Sequence, residues 1–285
     1  MKLPELAVNL LVFNQIPLSL ALDSVREAGC SVVELAYTAG YATFDEYQAF
    51  TDESASQIVQ ELEARGLVCR SIAAHIDLGM DNAVERFSRR LRFAQKIGAS
   101  IVISNTSTVD KREEFLRNIV ELSCIASELG LIIALENPGD GQDNLLESGT
   151  SGARLVDELG LANVLLNYDY SNAISYSKMD LPVVNDCESA VPRSANLHLK
   201  DLRRDEIAGC WDFCAIGEGD HDYAVLLKQV KQLEDPPSMS LELPLHMRRG
   251  SDLLMQKKDE ALERRECIRV IEQSVENIEK IWQTV

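Results

Sequence analysis

Three carboxylates and one imidazole each close a short apolar run: Glu136 in ALENP, Asp169 in NYDYSN, His198 in HLKD and Glu242 in LELP. A lone carboxylate in such a place is costly to bury. One divalent cation shared by the four removes that cost. Two Glu, one Asp and one His form a hard, mostly oxygen donor set. It suits Mn²⁺ foremost, or Mg²⁺ or Co²⁺, better than a thiolate-selective zinc site. Taken singly, each residue reads as a rim ion pair. Four in order on consecutive runs predict one divalent metal ion. Other chemistries lack their motifs. There is no G-x-S-x-G elbow and no GxxxxGK[ST] phosphate loop. Cys210 and Cys214 are four apart, but no further ligands accompany them.

The elements that must position these residues alternate. Apolar strands are predicted at residues 5–9, 31–36, 67–74, 100–104, 131–136, 163–168, 195–199 and 238–242. Helical patterns separate them, at 18–28, 52–65, 82–97, 111–129, 152–159, 182–190 and 222–233, and a last helix is predicted over 257–283. Gly29, Gly66, Gly98, Gly130 and Gly160 punctuate five of the helix-to-strand passages. Strands apolar throughout and separated by helices imply a parallel sheet buried on both faces. Eight such units predict an α/β fold, a (β/α)8 TIM barrel, as one domain over residues 1–285. The competing doubly wound sheet needs a Gly-rich loop after its first strand, and VNLLVFNQIP has no glycine. In a barrel the C-terminal strand ends carry the chemistry. Lys200, two residues after His198, shares its strand face.

The 285 residues carry 28 Lys+Arg against 46 Asp+Glu, a net charge of −18, and 46% of them are hydrophobic. So acidic a chain repels phosphate backbones and anionic membranes, which excludes nucleic acid and membrane as expected partners. No apolar run is long enough to span a bilayer. Seven scattered cysteines, an odd number with no CxxC, read as reduced thiols. The N-terminal stretch is a poor signal peptide. A cytoplasmic location is expected.

The segments ALENP, DYSN, HLKD, IGEG and LELP resemble the signatures of the xylose-isomerase-like TIM-barrel superfamily. That group includes hydroxypyruvate isomerase, tagatose and allulose 3-epimerases, inosose dehydratases and the endonuclease IV branch. The resemblance covers nearly the whole chain. It implies Glu136, Asp169, His198 and Glu242 as metal ligands, with zinc also allowed. It further implies that Glu136 and Glu242 exchange the substrate proton. His75, closing SIAAH, is then expected to contact substrate or to be a structural histidine. Lys200 is expected on substrate oxygens, and Arg204 in the following loop on substrate as well. Asn137 would bind substrate or fix its loop. Asp201 would act behind the site or as a cap, and Glu218 in IGEG would orient Lys200 or His198. Glu34 on the second strand is a further candidate behind the site. Tyr37, Tyr41 and Trp211 fall in loops where they wall a sugar or pack on the rim.

Two departures matter. Several branches carry D-x-x-H after strand 6, whereas here Asp169 is followed by Asn172, which takes the substrate-facing place. Four histidines in all, with a charge of −18, do not suit a trinuclear zinc DNA-repair enzyme. The expected activity is a metal-dependent isomerase or epimerase on a small ketose or keto-polyol, through a cis-enediolate. The alternatives are a dehydratase of the inosose-dehydratase type and a barrel that binds carbohydrate without turnover. The expected partner is a small carbohydrate. A homodimer is a family-level expectation only.

Overall fold

The computed structural model describes residues 2–42, 44–177, 180–258 and 262–285. The chain runs β1 (Leu6–Asn9), α1 (Leu18–Glu27), β2 (Val32–Ala36), α2 (Glu46–Ala49), α3 (Asp52–Glu63), β3 (Val68–Ala73) and α4 (Ala83–Lys96). It continues with β4 (Ile101–Asn105), α5 (Arg112–Glu128), β5 (Ile132–Glu136), α6 (Gly149–Leu159), β6 (Val164–Asp169), α7 (Tyr170–Tyr176), α8 (Val183–Ala190) and β7 (Ser194–Leu199). Then come β8 (Asp201–Asp205), β9 (Cys210–Cys214), α9 (Tyr223–Lys231), β10 (Ser238–Leu241), β11 (Met247–Arg249), β12 (Met255–Lys257) and α10 (Arg264–Thr284).

Eight of the strands close a barrel in the order β1-β10-β7-β6-β5-β4-β3-β2. All its ladders are parallel, as continuous apolar strands require. The strands that carry the predicted ligands, β5, β6, β7 and β10, are successive neighbours. Their register sets Asp169 opposite His198 and His198 opposite Ser240. Gly160 shows why glycine punctuates the helices: it caps α6 in the left-handed region, at φ 59°.

Apart from the one-turn helix α2, which is also unread, the sequence reading differs from the structure in three places. Residues 201–214, read as loop, form a β8–β9 hairpin. It joins β11 and β12 in a second, antiparallel sheet of order β12-β11-β9-β8. The signal was a short alternation, in which Leu202 and Phe213 pair across the ladder and are both buried. Helix α7, unread in the sequence, starts directly at the end of β6, where the Asp169 side chain caps it by accepting from the Asn172 N–H. The C-terminal helix begins at Arg264, because residues 255–257 are strand β12. Residues 259–261, inside the predicted helix, lie outside the described residues. All seven cysteines are free. No helix among the described residues is long and apolar enough to cross a membrane.

Candidate metal centre and active site

The four strand-end residues converge. Glu136, Asp169, His198 and Glu242 are all buried, and one donor atom from each lies within 4.8 Å of the others. They are not held alone. Glu34 on β2 reaches across the barrel and accepts from His198 Nε2 at 2.8 Å. Its carboxylate also accepts from Asn9, Ser71 and Ser240. A chain of amides then crosses the barrel floor. Asn196 donates to Asn167 Oδ1 at 2.8 Å, and Asn167 donates to Glu136 Oε2 at 2.8 Å. These supports sit two residues before the ligands: Asn167 before Asp169, Asn196 before His198, Ser240 before Glu242. They therefore face inward on the same strands. The same spacing could have flagged them in the sequence.

His198 Nδ1 faces Glu136 Oε2 at 3.1 Å and Glu242 Oε2 at 3.2 Å. Lys200 Nζ lies 2.6 Å from Asp169 Oδ2 and also pairs with Glu242. Burial alone would push Glu136 up, but His198 and His75 outweigh it and hold the carboxyl well below the usual range. Against the same burial, His198 and Lys200 hold Glu242 down at about 2. For Asp169 burial outweighs Lys200, and its carboxyl rises to about 6. Burial disfavours an imidazolium at His198, yet Glu242, Glu136 and Glu34 push it well above its ordinary value. The cluster thus draws positive charge into its centre.

A divalent cation fits these residues. His198 Nδ1 and Asp169 Oδ2 are buried without an aligned hydrogen bond, although both lie at ion-pair distance from charged neighbours. A buried polar atom left so is uncommon. Glu34 accepts the hydrogen bond of Nε2–H, which leaves the Nδ1 lone pair for a cation in the cluster. Three carboxylates and one imidazole are a hard donor set. A second cluster, Asp205, Cys210 and Asp212, is less suited. Asp212 is already paired with Lys258 at 2.9 Å, and Asp205 caps the Ile207 and Ala208 N–H groups.

Above the cluster lies a cavity of about 240 Å³, lined in part by Tyr41, His75, Glu136, Asn172, Lys200, Glu242 and Arg249. This is small even for a ligand pocket. His75 Nε2 donates to Glu136 Oε2 at 2.9 Å, and its Nδ1 lies 3.0 Å from Thr38 Oγ1. Asn172 lines the cavity while its side chain donates to the Asn137 carbonyl. Asn137 does not line it. Its amide locks to the Asp169 backbone at 2.8 and 2.9 Å, so it fixes the loop.

Two expectations are corrected, and a third is decided between its alternatives. Arg204 is exposed, stacked 5.4 Å over Trp211, and faces away from the cavity because β8 belongs to the outer hairpin. Glu218 is also exposed and touches neither Lys200 nor His198. Asp201 is the cap: its carboxylate accepts from the N–H groups of Gly217, Gly219 and His221. A Cβ at Gly219 would lie 2.1 Å from Asp201 Oδ1, which explains that glycine in IGEG. The residue the sequence motifs did not reach is Arg249. It is buried on β11 at the cavity wall.

Residues 22–270 match the family model described as xylose isomerase-like TIM barrel. The chain belongs to that family. Solved structures of the xylose isomerase-like type share the fold at low identity. A D-allulose 3-epimerase from Methylomonas sp. is 16% identical, with a TM-score of 0.72 and 99% of each chain covered. The probable 3-DHS dehydratase AsbF from Bacillus anthracis is 13% identical, with a TM-score of 0.69, covering 96% of this chain and 98% of that one. A xylose isomerase-like TIM barrel protein from Mycobacterium smegmatis, in complex with magnesium, is 16% identical, with a TM-score of 0.70 and 98% of each chain covered. No curated protein sequence matches the chain.

Proposed function

We propose that the protein is a divalent-metal-dependent isomerase or epimerase of a small ketose or keto-polyol, working through a cis-enediolate. One observation carries this reading. Glu136 and Glu242, from β5 and the end of β10, both border the cavity and both converge on the same buried cluster. Glu136, Asp169, His198 and Glu242 would hold the cation. When bound, it would supply positive charge to the carbonyl and neighbouring hydroxyl oxygens of the substrate. Glu136 takes the carbon-bound proton and Glu242 returns one, or the reverse. His75 keeps Glu136 oriented, and Lys200 holds an oxygen of the substrate.

Proton exchange tests this. Metal-loaded protein is incubated with a panel of ketoses in D₂O, and deuterium at carbon is read by NMR. The expected result is deuterium at carbon with no loss of water, slowed at least about 100-fold in Glu136→Gln and in Glu242→Gln. A barrel that binds without turnover would show no exchange with any ketose. If neither change altered Mn²⁺ binding, the metal assignment would fall too. A dehydratase is the second reading, favoured by Lys200, a cation at the cavity wall beside the place of a leaving oxygen. Loss of water and a new absorbing enone or dione would establish it.

A further inference from the structure

Among the described residues, Arg249 is a buried cation without an anion. It is 2% exposed and borders the cavity. Its bonds run to uncharged oxygens: Gly139 O at 2.9 Å, Leu253 O at 2.7 Å and Asn172 Oδ1 at 2.7 Å. Among the described residues no carboxylate pairs with it. The other fully buried arginine, Arg90, does have one, Glu46 at 3.1 Å. Removing a charge from water without a partner is costly. Burial accordingly pulls the Arg249 guanidinium below its ordinary value, with Asp169, Glu242 and Asp140 only partly opposing. Two of these are already spent, since Asp169 and Glu242 both pair with Lys200.

The donor count sharpens the point. A guanidinium has five N–H groups. Three serve the oxygens above, and among the described residues Nε has no partner. Two donors remain, Nε–H and one hydrogen on Nη2. Two parallel N–H groups fit the two oxygens of one carboxylate. The small cavity and, among the described residues, the lack of a second free cation beside Arg249 suit a carboxylate better than a phosphoryl group. Lys200, the neighbouring cation, has its charge met by two carboxylates, which leaves one N–H for a substrate oxygen but no spare positive charge for a phosphoryl group.

We infer that Arg249 binds a carboxylate of the substrate, so that among small ketoses and keto-polyols the site prefers a hydroxy-keto acid to its neutral counterpart. The inference rests on the proposed function for the cluster end of the cavity, and it names the substrate class of that same site. Arg249 also ties β11 to the loop after β5 and orients Asn172. A purely structural role would end there and would give no preference for acids.

The test compares 5-keto-D-gluconate with its neutral counterpart L-sorbose, by calorimetry on Mn²⁺-loaded full-length protein. The acid is expected to bind at least about tenfold more tightly to wild type. That preference should vanish in Arg249→Gln and be partly kept in Arg249→Lys, with Mn²⁺ affinity unchanged in both. Equal binding of acid and neutral sugar by wild type overturns the inference, whatever the variants do. So does a preference that survives in a folded Arg249→Gln, since the carboxylate would then sit on the cation. Inorganic phosphate displacing the acid at equal or lower concentration overturns the carboxylate assignment. Mn²⁺ titration comes first. If no Mn²⁺ binds, the functional reading fails, while Arg249-dependent binding of the acid is still read on the same protein.

Discussion

Glu34 Oε1 lies 2.8 Å from His198 Nε2, and neither side chain has exposed surface. The contact joins β2 to β7 across the barrel interior. It decides which imidazole nitrogen faces the cluster, because the proton on Nε2 is the one Glu34 accepts. Nδ1 is then directed at Glu136 and Glu242. The carboxylate itself is fixed by Asn9 at 2.6 Å, Ser71 at 2.5 Å and Ser240 at 3.0 Å. The partner that orients the His198 ring is thus itself fixed by three further side chains.

Glu34→Gln should therefore weaken Mn²⁺ binding about 10–100-fold, the usual cost of losing the partner behind a metal-bound histidine. The amide also turns an NH₂ toward groups that donate to the carboxylate, so some stability is lost, about 1–3 kcal/mol. Calorimetric titration of Mn²⁺ and urea unfolding read the two effects separately. Unchanged Mn²⁺ affinity would show that His198 is oriented by its strand alone.

Lys200 presents the opposite case. Its ammonium lies within the carboxylate cluster, 2.6 Å from Asp169 Oδ2. Like charges so close repel by several kcal/mol even at an effective dielectric near 20. Lys200→Met should tighten Mn²⁺ binding at least about tenfold, while turnover drops at least about 100-fold because the substrate oxygen loses its cation. Weaker Mn²⁺ binding in the variant would contradict this. It would mean that Lys200 holds the two carboxylates in place for the ion.

Much of this was legible in the chain, and the limits have physical reasons. The barrel could be read because parallel strands buried on both faces are apolar throughout, as in LIIALE and ANLHL. Glu136, Asp169, His198 and Glu242 stood out because each breaks such a run at its end. Their supports did not. Asn167, Asn196 and Ser240 lie inside the runs, and only the inward-facing spacing of two marks them. Arg249 was hidden for another reason. Its burial depends on the antiparallel sheet of β8, β9, β11 and β12, whose strands are distant in sequence and as short as three residues. Arg204 misled for the same reason: on the outer hairpin it turns to solvent, against Trp211.

His221 supplies a prediction on stability that does not depend on the metal. It is 7% exposed, and its Nε2 meets Ser171 Oγ at 2.9 Å. Burial, aided by Arg249 and opposed by Asp220, pulls its imidazole down from 6.5 to about 4. The sign follows from proton binding. Between these two values the unfolded chain takes up a proton that the folded protein refuses. The contribution is therefore complete above about pH 6.5, falls as the pH drops toward 4, and levels off below. At its limit the loss is about 3 kcal/mol. His221→Gln keeps a hydrogen-bonding partner for Ser171 but removes the titration. Urea unfolding of both proteins in chelator, at pH 7 and at pH 4, isolates the difference from every other acid-sensitive group. Wild type should lose about 3 kcal/mol more than the variant over that interval. Equal losses would place the His221 imidazole in contact with water, where it titrates alike in both states.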